Sequence, residues 1–307
     1  AVLCIDEKMQ FVIPLLSGHI GGANDLARRL AGALGASAVI TTATDVEGSF
    51  SIDDYAREHN LVVTDWTKAK AISAEVLATG AEPVWIEEPA VTQGEEKRAC
   101  EIRKEQNSTG IDVGKIENDG CKNEVDGCGN RINVKRLQIG SHQVIITPKD
   151  VPVDAQTLQL IPRCIVAGVG CKKGIPADKI EHAVQDAFAK AGLRMEALCA
   201  VSSIDLKKEE AGLLEFCETR NVPFETYAAE ELQAVPGTYS ASEFVSGVTG
   251  VDNVCERSAV KYASEHDMNQ GEQLLGRQAK HGELLIRKQA QDGVTLALAY
   301  MGAASEK

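Results

Sequence analysis

Short apolar runs alternate with amphipathic helical segments along the first 86 residues. "AVLCI" (1–5), "FVIPLL" (11–16) and "SAVITTATD" (37–45) have the length and aliphatic content of short buried strands. Between them, "ANDLARRLAGALG" repeats apolar residues at three and four positions, which predicts a helix that ends at Gly35. The alternation continues to residue 86, and this order of elements is typical of an open α/β sheet with mostly parallel strands.

The alternation stops between residues 87 and 133. This stretch is acidic and rich in Gly, Asn and Asp, and it predicts an exposed, flexible insertion because it has almost no aliphatic periodicity. Strand character returns as a hairpin over residues 135–148. A second α/β unit follows, with Pro176 in the first turn of a long helix, and residues 282–301 predict a closing β-hairpin.

These patterns predict an α/β fold made of two or three Rossmann-like α/β/α units with mostly parallel sheets. The expected divisions are an N-terminal domain over 1–60, a middle domain over 61–160 that carries the insertion, and a C-terminal domain over 161–307.

Charge and composition narrow the function classes. The net charge of −13 argues against a general nucleic-acid or anionic-membrane binder, because both need a basic face. No run has the roughly 18–20 apolar residues of a membrane span and no signal peptide opens the chain, so a cytoplasmic protein is expected. The nine cysteines are scattered, and Cys4, Cys164, Cys199 and Cys217 lie in apolar runs, which predicts reduced, buried thiols. No metal site is expected.

Two strand–loop–helix junctions carry clustered glycines. "LLSGHIGGANDLA" (15–27) and "VAGVGCKKGIPADKI" (166–180) leave backbone N–H groups open at the start of a helix, where anions bind. Neither contains the GxxxxGK[ST] phosphate motif. Alone, each is more typical of a tight turn, and Asn24 fits a helix cap, but one junction in each half of the chain favours binding. The candidate ligand-binding residues are Ser17, Gly21, Gly22, Asn24, Gly168, Gly170 and Gly174.

Further polar side chains follow predicted strands, where open α/β sheets place their ligands. A lysine among them provides a point charge for a substrate carboxylate. Helix caps, turns and solvent-facing lysines explain the same positions equally well. These candidates are Thr41, Thr42, Asp45, Ser203, Asp205, Lys207 and Lys288.

The longest motifs resemble one known family. "FVIPLLSGHIGGANDLARRLAGALGASAVITTATD" is similar to the N-terminal signature of the CbiG family. "LIPRCIVAGVGCKKGIPADKIEHAV", "SSIDLKKEEAGLLEF" and "GELLIRKQAQDGVTLALA" resemble its C-terminal domain in the same order. The resemblance covers nearly all of the chain outside residues 87–133. Because the family has several dozen residues before this first strand, we expect the chain to be N-terminally incomplete.

The resemblance implies a hydrolase that acts on cobalt-precorrin-5A in anaerobic cobalamin biosynthesis. Such an enzyme opens the δ-lactone of an anionic corrinoid and releases acetaldehyde to give cobalt-precorrin-5B. The cobalt belongs to the substrate, so no cofactor is expected. The implied partners are the corrinoid, neighbouring cobalamin-pathway enzymes and a second copy of the chain, with neither nucleic acid nor membrane.

This chemistry needs an activated water, a donor to the carbonyl oxyanion and a base for the carbon–carbon cleavage. An imidazole takes up a proton near neutral pH, so His19 is the candidate base, and the resemblance adds Glu256 as a second catalytic candidate. Ser17 is a candidate for orienting the water, and the N–H groups around Gly21 and Gly22 for holding an oxyanion or a substrate carboxylate.

Other interpretations of the same residues stay open. A role for His19 in packing the loop fits its position as well as proton transfer does. A non-catalytic corrinoid carrier or scaffold is one alternative function. A nucleotide-binding Rossmann-like enzyme is the other, since Asp45 lies near the spacing of a ribose-binding acid after the first glycine loop.

Overall fold

The computed structural model describes residues 1–16, 22–40, 49–86, 134–242, 246–247, 249–266 and 282–301. Within these residues the strands form three sheets, and helices pack against them. The structure is a mixed α/β fold, as the order of apolar and amphipathic segments predicts. No helix in the described ranges is long and apolar enough to cross a membrane.

The first sheet has three short strands and one helix. Its elements are β1 (Val2–Ile5), β2 (Phe11–Leu16), α1 (Ala23–Leu34) and β3 (Ser37–Ala38). β2 lies in the middle, antiparallel to β1 and parallel to β3. Ala27 and Ala31 of α1 pack on Val12 of β2. The helix ends at Gly35 as predicted, because the positive φ of 66° at this residue favours glycine.

The second sheet has five strands in the order β5-β6-β7-β8-β4. The elements of this part of the chain are α2 (Ile52–Glu58), β4 (Leu61–Val63), α3 (Trp66–Thr79), β5 (Val84–Ile86), β6 (Lys135–Ile139), β7 (His142–Ile146) and β8 (Thr157–Pro162). The predicted hairpin of β6 and β7 is confirmed, with Gly140 at positive φ in its turn. Ile72 of α3 packs against Leu137, Val144 and Leu158 of the sheet.

The third sheet has five strands in the order β11-β10-β9-β13-β12. Its elements are β9 (Ile165–Cys171), α4 (Ala177–Lys190), β10 (Leu198–Ile204), α5 (Ala211–Arg220), β11 (Phe224–Tyr227), α6 (Ala229–Gln233), α7 (Val254–Glu265), β12 (Glu283–Gln291) and β13 (Val294–Tyr300). Phe188 of α4 and Phe216 of α5 belong to the core on one face of the sheet. Ala259 of α7 belongs to the core on the other face.

The expectation of mostly parallel sheets is wrong for the described strands. Only β2–β3, β7–β8, β9–β10 and β10–β11 pair in parallel, and the other strand pairs are antiparallel. Part of the reason is local, because tight hairpins join β6 to β7 and β12 to β13, and a short connection can link only antiparallel neighbours. The antiparallel pairs β4–β8, β5–β6 and β9–β13 join strands that are distant in the chain. The predicted closing hairpin of β12 and β13 is confirmed.

The predicted burial of four cysteines is confirmed in part. Cys164 and Cys217 are buried free thiols. Cys199 is only partly buried, and Cys4 is exposed because β1 is an edge strand with most of its side chains in solvent. The predicted insertion over 87–133 lies outside the described residues.

Candidate functional site

The carboxyl ends of several strands of the third sheet meet at one edge. Cys171 at the end of β9 and Gln291 at the end of β12 both pair with Val294, the first residue of β13. β10 runs parallel to β9 and ends at the same edge. Helix α7 begins here too, since a side chain on Gly170 would contact Val254, its first residue. Open α/β sheets bind ligands at such edges, which makes this the candidate site.

Gly168 and Gly170 allow close packing at this edge. A Cβ on Gly168 would overlap the carbonyl oxygen of Cys255 and lie 2.9 Å from the Ala259 Cβ, so α7 packs directly on the β9 backbone. A Cβ on Gly170 would lie 2.6 Å from Thr295 Oγ1, which donates to the Gly170 carbonyl oxygen at 3.1 Å. The expected opening for a ligand beside these two glycines is therefore filled by α7 and by a side chain of β13.

Glu210 joins the second glycine loop to the loop after β10. Its Oε1 accepts the Gly174 N–H at 2.6 Å, and its Oε2 accepts Lys207 Nζ at 2.9 Å. Burial raises the pKa of Glu210, but the hydrogen bonds from Lys207 and Gly174 and the charge of Lys173 outweigh it, and the pKa is lowered overall. The loop N–H and the Lys207 charge thus have an internal acidic partner, which a substrate carboxylate must share or replace.

Ser203 and Asp205 differ in what they can reach. Ser203 is fully buried, and its Oγ donates to the Val169 carbonyl oxygen at 2.6 Å, so this hydroxyl links β10 to β9. Asp205 begins a short 3-10 turn after β10 and is exposed, and its Oδ1 accepts from Thr226 Oγ1 at 2.7 Å. Of these two predicted ligand-binding residues, only Asp205 presents a polar group to solvent.

Glu256 lies in the first turn of α7 and is fully buried. Its Oε1 accepts Ser240 Oγ at 2.8 Å and the Lys288 N–H at 2.7 Å, and its Oε2 accepts the Ser240 N–H at 2.9 Å. Lys288 is half-buried on β12, and its Nζ has no hydrogen-bond or ion-pair partner among the residues that the structure describes. The carboxylate predicted to be catalytic is therefore enclosed by hydrogen bonds. Among the described residues, the charge of Lys288 acts on the Cys255 thiol, whose pKa it lowers against the larger effect of burial.

The cysteines beside the site are neutral thiols. Burial raises the pKa of the Cys171 thiol, and the Lys207 charge only partly opposes this shift. Burial also raises the pKa of Cys255, to about 12. Neither environment favours a thiolate nucleophile. In the described part of the chain, no group of three or more His, Cys, Asp or Glu side chains is arranged to hold a metal ion.

The N-terminal glycine junction is described only from Gly22 onward. Gly22 is the N-cap of α1, with a φ of 67°, and its carbonyl oxygen accepts the Leu26 N–H at 3.0 Å. Asn24 is buried within the first turn, so the interpretation of Asn24 as the cap is wrong. The other predicted residues of this region lie outside the described ranges: Ser17, His19, Gly21, Thr41, Thr42 and Asp45.

Two family models match the chain. The model described as "Cobalamin synthesis G N-terminal" matches residues 1–45, and "Cobalamin synthesis G C-terminus" matches residues 165–299. The chain belongs to the CbiG family. In this CbiG-family chain, the second match runs from the start of β9 almost to the end of β13 and contains the whole sheet edge. The first match contains the N-terminal glycine junction.

Two curated relatives and one solved structure are similar to this chain. The CbiG-family chain is 33% identical over 257 residues to "Cobalt-precorrin-5A hydrolase" of Salmonella typhimurium, covering 83% of this chain and 66% of the relative. It is 29% identical over 270 residues to the protein of the same name from Priestia megaterium, covering 86% and 66%. The chain thus spans 66% of the length of both relatives. The solved structure of CobE, "a protein from the cobalamin (vitamin B12) biosynthetic pathway", aligns at 27% identity with a TM-score of 0.38, covering 44% of this chain and 89% of that chain.

Sequence reasoning missed three residues that organise this CbiG site. Glu210 belongs to "KKEE", which has only the pattern of a charged loop. Ser240 and Thr295 are single hydroxyls with no motif around them. Their contacts with Glu256 and Gly170 depend on how a loop and β13 lie against the sheet, which no local pattern specifies.

Proposed function

We propose that this chain acts as a cobalt-precorrin-5A hydrolase, which opens the δ-lactone of the corrinoid and releases acetaldehyde to give cobalt-precorrin-5B. The observation that carries the proposal is the pair of CbiG family matches, together with 33% identity to the Salmonella typhimurium hydrolase. The cobalt enters and leaves with the substrate, and the chain supplies no cofactor of its own.

The reaction divides into two steps with different needs. Addition of one water to the lactone carbonyl gives a carboxylate and a free alcohol, and N–H donors stabilise the oxyanion between them. Removal of the alcohol proton by a base then breaks the carbon–carbon bond. The alcohol carbon leaves as acetaldehyde, and the electron pair stays on the macrocycle, which takes up a proton. We assign proton transfer to His19 and oxyanion or carboxylate binding to the N–H groups around Gly21 and Gly22, with Ser17 orienting the water.

The substrate carries many acetate and propionate groups, so its recognition needs positive charge. Lys207 supplies this charge just after β10, at the carboxyl edge of the third sheet, and Lys288 supplies it from β12, three residues before that strand ends. Lys288 Nζ has no hydrogen-bond or ion-pair partner among the described residues, whereas Lys207 Nζ donates to Glu210 Oε2 at 2.9 Å. We assign carboxylate binding to both lysines, with Thr41, Thr42, Asp45 and Asp205 as further polar contacts.

We also infer the finer organisation of the chain. The parallel part of the third sheet, with α4 and α5 on one face and α7 on the other, supports a Rossmann-like C-terminal domain over 161–307. We keep the division into 1–60, 61–160 and 161–307, with residues 87–133 as an insertion in the middle domain. The three sheets follow this division closely, although α2 packs in the core of the second sheet and β8 runs on to Pro162. A cytoplasmic location, a homodimer and contacts with neighbouring pathway enzymes complete the proposal.

Purified chain is expected to release acetaldehyde from cobalt-precorrin-5A. The product is measured by coupling to alcohol dehydrogenase and following NADH consumption. The chain spans 66% of the length of the two hydrolases named above. The assay must therefore use this chain and not one of those relatives. Tight corrinoid binding without acetaldehyde would contradict the hydrolase and favour the carrier. A chain that neither binds the corrinoid nor releases acetaldehyde would contradict both the hydrolase and the carrier.

Lys207→Ala is expected to weaken corrinoid binding by about fivefold, since one charge pair that is shared with Glu210 contributes about 1 kcal/mol. Binding of wild type should weaken as salt is raised, and this dependence should be shallower in the variant. Equilibrium dialysis with cobalt-precorrin-5A measures both. Lys70→Ala is the control, because Lys70 is exposed on α3 and its loss changes the net charge equally. Equal affinity of wild type and Lys207→Ala would remove Lys207 from the site.

A further inference from the structure

Strand β12 contains a bulge at the two residues before Gln289. Ile286 pairs with Leu298 and Gln289 pairs with Leu296, so β12 advances by three residues while β13 advances by two. One residue of β12 is therefore extra. Bulges of this kind re-aim a side chain and are frequent beside active sites. Here the bulge contains Lys288, whose backbone N–H donates to Glu256 Oε1 at 2.7 Å.

The same carboxylate fixes the loop that precedes α7. Ser240 donates to it twice, from its backbone N–H and its Oγ. Asn253, the N-cap of α7, donates from Nδ2 to the Ser240 carbonyl oxygen at 2.9 Å. The other bulge residue, Arg287, donates from Nη1 to the Thr238 carbonyl oxygen at 3.1 Å. The loop before α7 and the β12 bulge are thus joined twice, through the Glu256 carboxylate and through the Arg287 side chain.

We infer that Glu256 is a positioning residue: its buried carboxylate clamps the β12 bulge to Ser240 and so fixes the backbone that presents the Lys288 ammonium group to a substrate carboxylate. The inference rests on the proposed function. A buried carboxylate costs free energy unless its oxygens are hydrogen-bonded, and Glu256 meets this condition with three donors at 2.7–2.9 Å. The position needs a group that accepts hydrogen bonds at both oxygens.

An amide in place of this carboxylate breaks the clamp on one side. In Glu256→Gln, one position becomes an NH₂ group and faces either the Ser240 N–H or the Lys288 N–H, so two donors oppose each other. Glu256→Asp keeps the carboxyl group but is shorter by one methylene and does not span both partners. The two variants therefore disrupt the same connection in different ways. If one of them fails to fold, the other still tests the inference.

The kinetic test is a double-mutant cycle on the full chain with cobalt-precorrin-5A. Lys288→Ala is expected to raise KM on the order of tenfold, as loss of a charge-assisted hydrogen bond does. Glu256→Gln should raise KM by a similar factor and change kcat by less than about twofold. The double variant should have the KM of Lys288→Ala alone, because a displaced lysine and a missing one are equivalent. Multiplied KM effects, or an unchanged KM in Glu256→Gln and Glu256→Asp, would overturn the inference.

Amide hydrogen exchange tests the clamp without any substrate. In Glu256→Gln and Glu256→Asp, the Lys288 or the Ser240 amide is expected to exchange at least about tenfold faster than in wild type. Glu265→Gln is the matched control, since Glu265 is exposed at the other end of α7 and pairs with Lys261. It should change neither KM nor the two exchange rates. Wild-type exchange at both amides in both clamp variants overturns the inference even if the chain proves inactive, whereas faster exchange in an inactive chain overturns only the proposed function.

Discussion

His19→Ala is expected to lower turnover of cobalt-precorrin-5A by about 10²–10⁴-fold, the usual contribution of a general base. His19 lies between the end of β2 at Leu16 and the start of α1 at Ala23, in a segment with three glycines. Acetaldehyde release moves at least one proton, and an imidazole takes up that proton near neutral pH. Substrate affinity and the unfolding transition should change little. Single-turnover acetaldehyde release and a urea titration measure the two properties.

His19→Gln separates proton transfer from loop packing. An amide can replace a structural hydrogen bond of the imidazole but cannot take up a proton, so the glutamine variant should be as slow as the alanine variant. His182→Ala is the control, because the His182 side chain on α4 is 65% exposed. Near-full activity of His19→Gln would show that the imidazole only shapes the loop, and Asp45 would then be the next candidate for the base.

Gly168→Ala is expected to destabilise the C-terminal sheet by about 3 kcal/mol or more, since overpacking against fixed atoms belongs among the most damaging substitutions. The added Cβ overlaps the carbonyl oxygen of Cys255, a backbone atom inside α7. No rotamer change removes this overlap, so the helix must move away from β9. Urea unfolding followed by circular dichroism measures the loss of stability.

Gly170→Ala provides the comparison at a neighbouring position on the same strand. Its added Cβ meets a side-chain atom, Thr295 Oγ1, at 2.6 Å. Thr295→Ala should therefore recover much of the stability that Gly170→Ala loses, with a shortfall of about 1 kcal/mol for the lost hydrogen bond to the Gly170 carbonyl oxygen. The same second substitution should not rescue Gly168→Ala. If Gly168→Ala is as stable as wild type, α7 does not pack on β9 as described.

Elements with a local signal could be predicted from the sequence. The apolar spacing of α1 and the glycine at its end are sufficient to place it, and Asp292–Gly293 between two alternating runs predicts the β12–β13 hairpin. The pairing of strands that are distant in the chain is not predictable in this way. β13 pairs with β9, more than 120 positions earlier in the chain, and nothing in either strand specifies that contact.

In the candidate site, too, the residues placed by local sequence are predictable and the contacts with remote segments are not. Lys207 and Asp205 follow β10 as predicted, because the carboxyl ends of parallel strands share an edge. The sequence suggests that the two glycines of β9 leave an opening for a ligand, whereas the structure uses both for contact with α7 and Thr295. A glycine in the sequence does not show whether the space left by its missing side chain is filled by a ligand or by a helix. Only the neighbour, which is remote in sequence, distinguishes the two.

The position of β13 has a consequence for how the chain is made. The strand that is synthesised last in this sheet is inserted between β9 and β12, so β9 has an unpaired, apolar edge until residues 294–300 have emerged from the ribosome. Unpaired strand edges recruit other chains, and contacts between distant segments form slowly. Nascent copies of this protein on one messenger are therefore exposed to mispairing until β13 has emerged. A chaperone that shields β9 during that interval would raise the yield of folded protein.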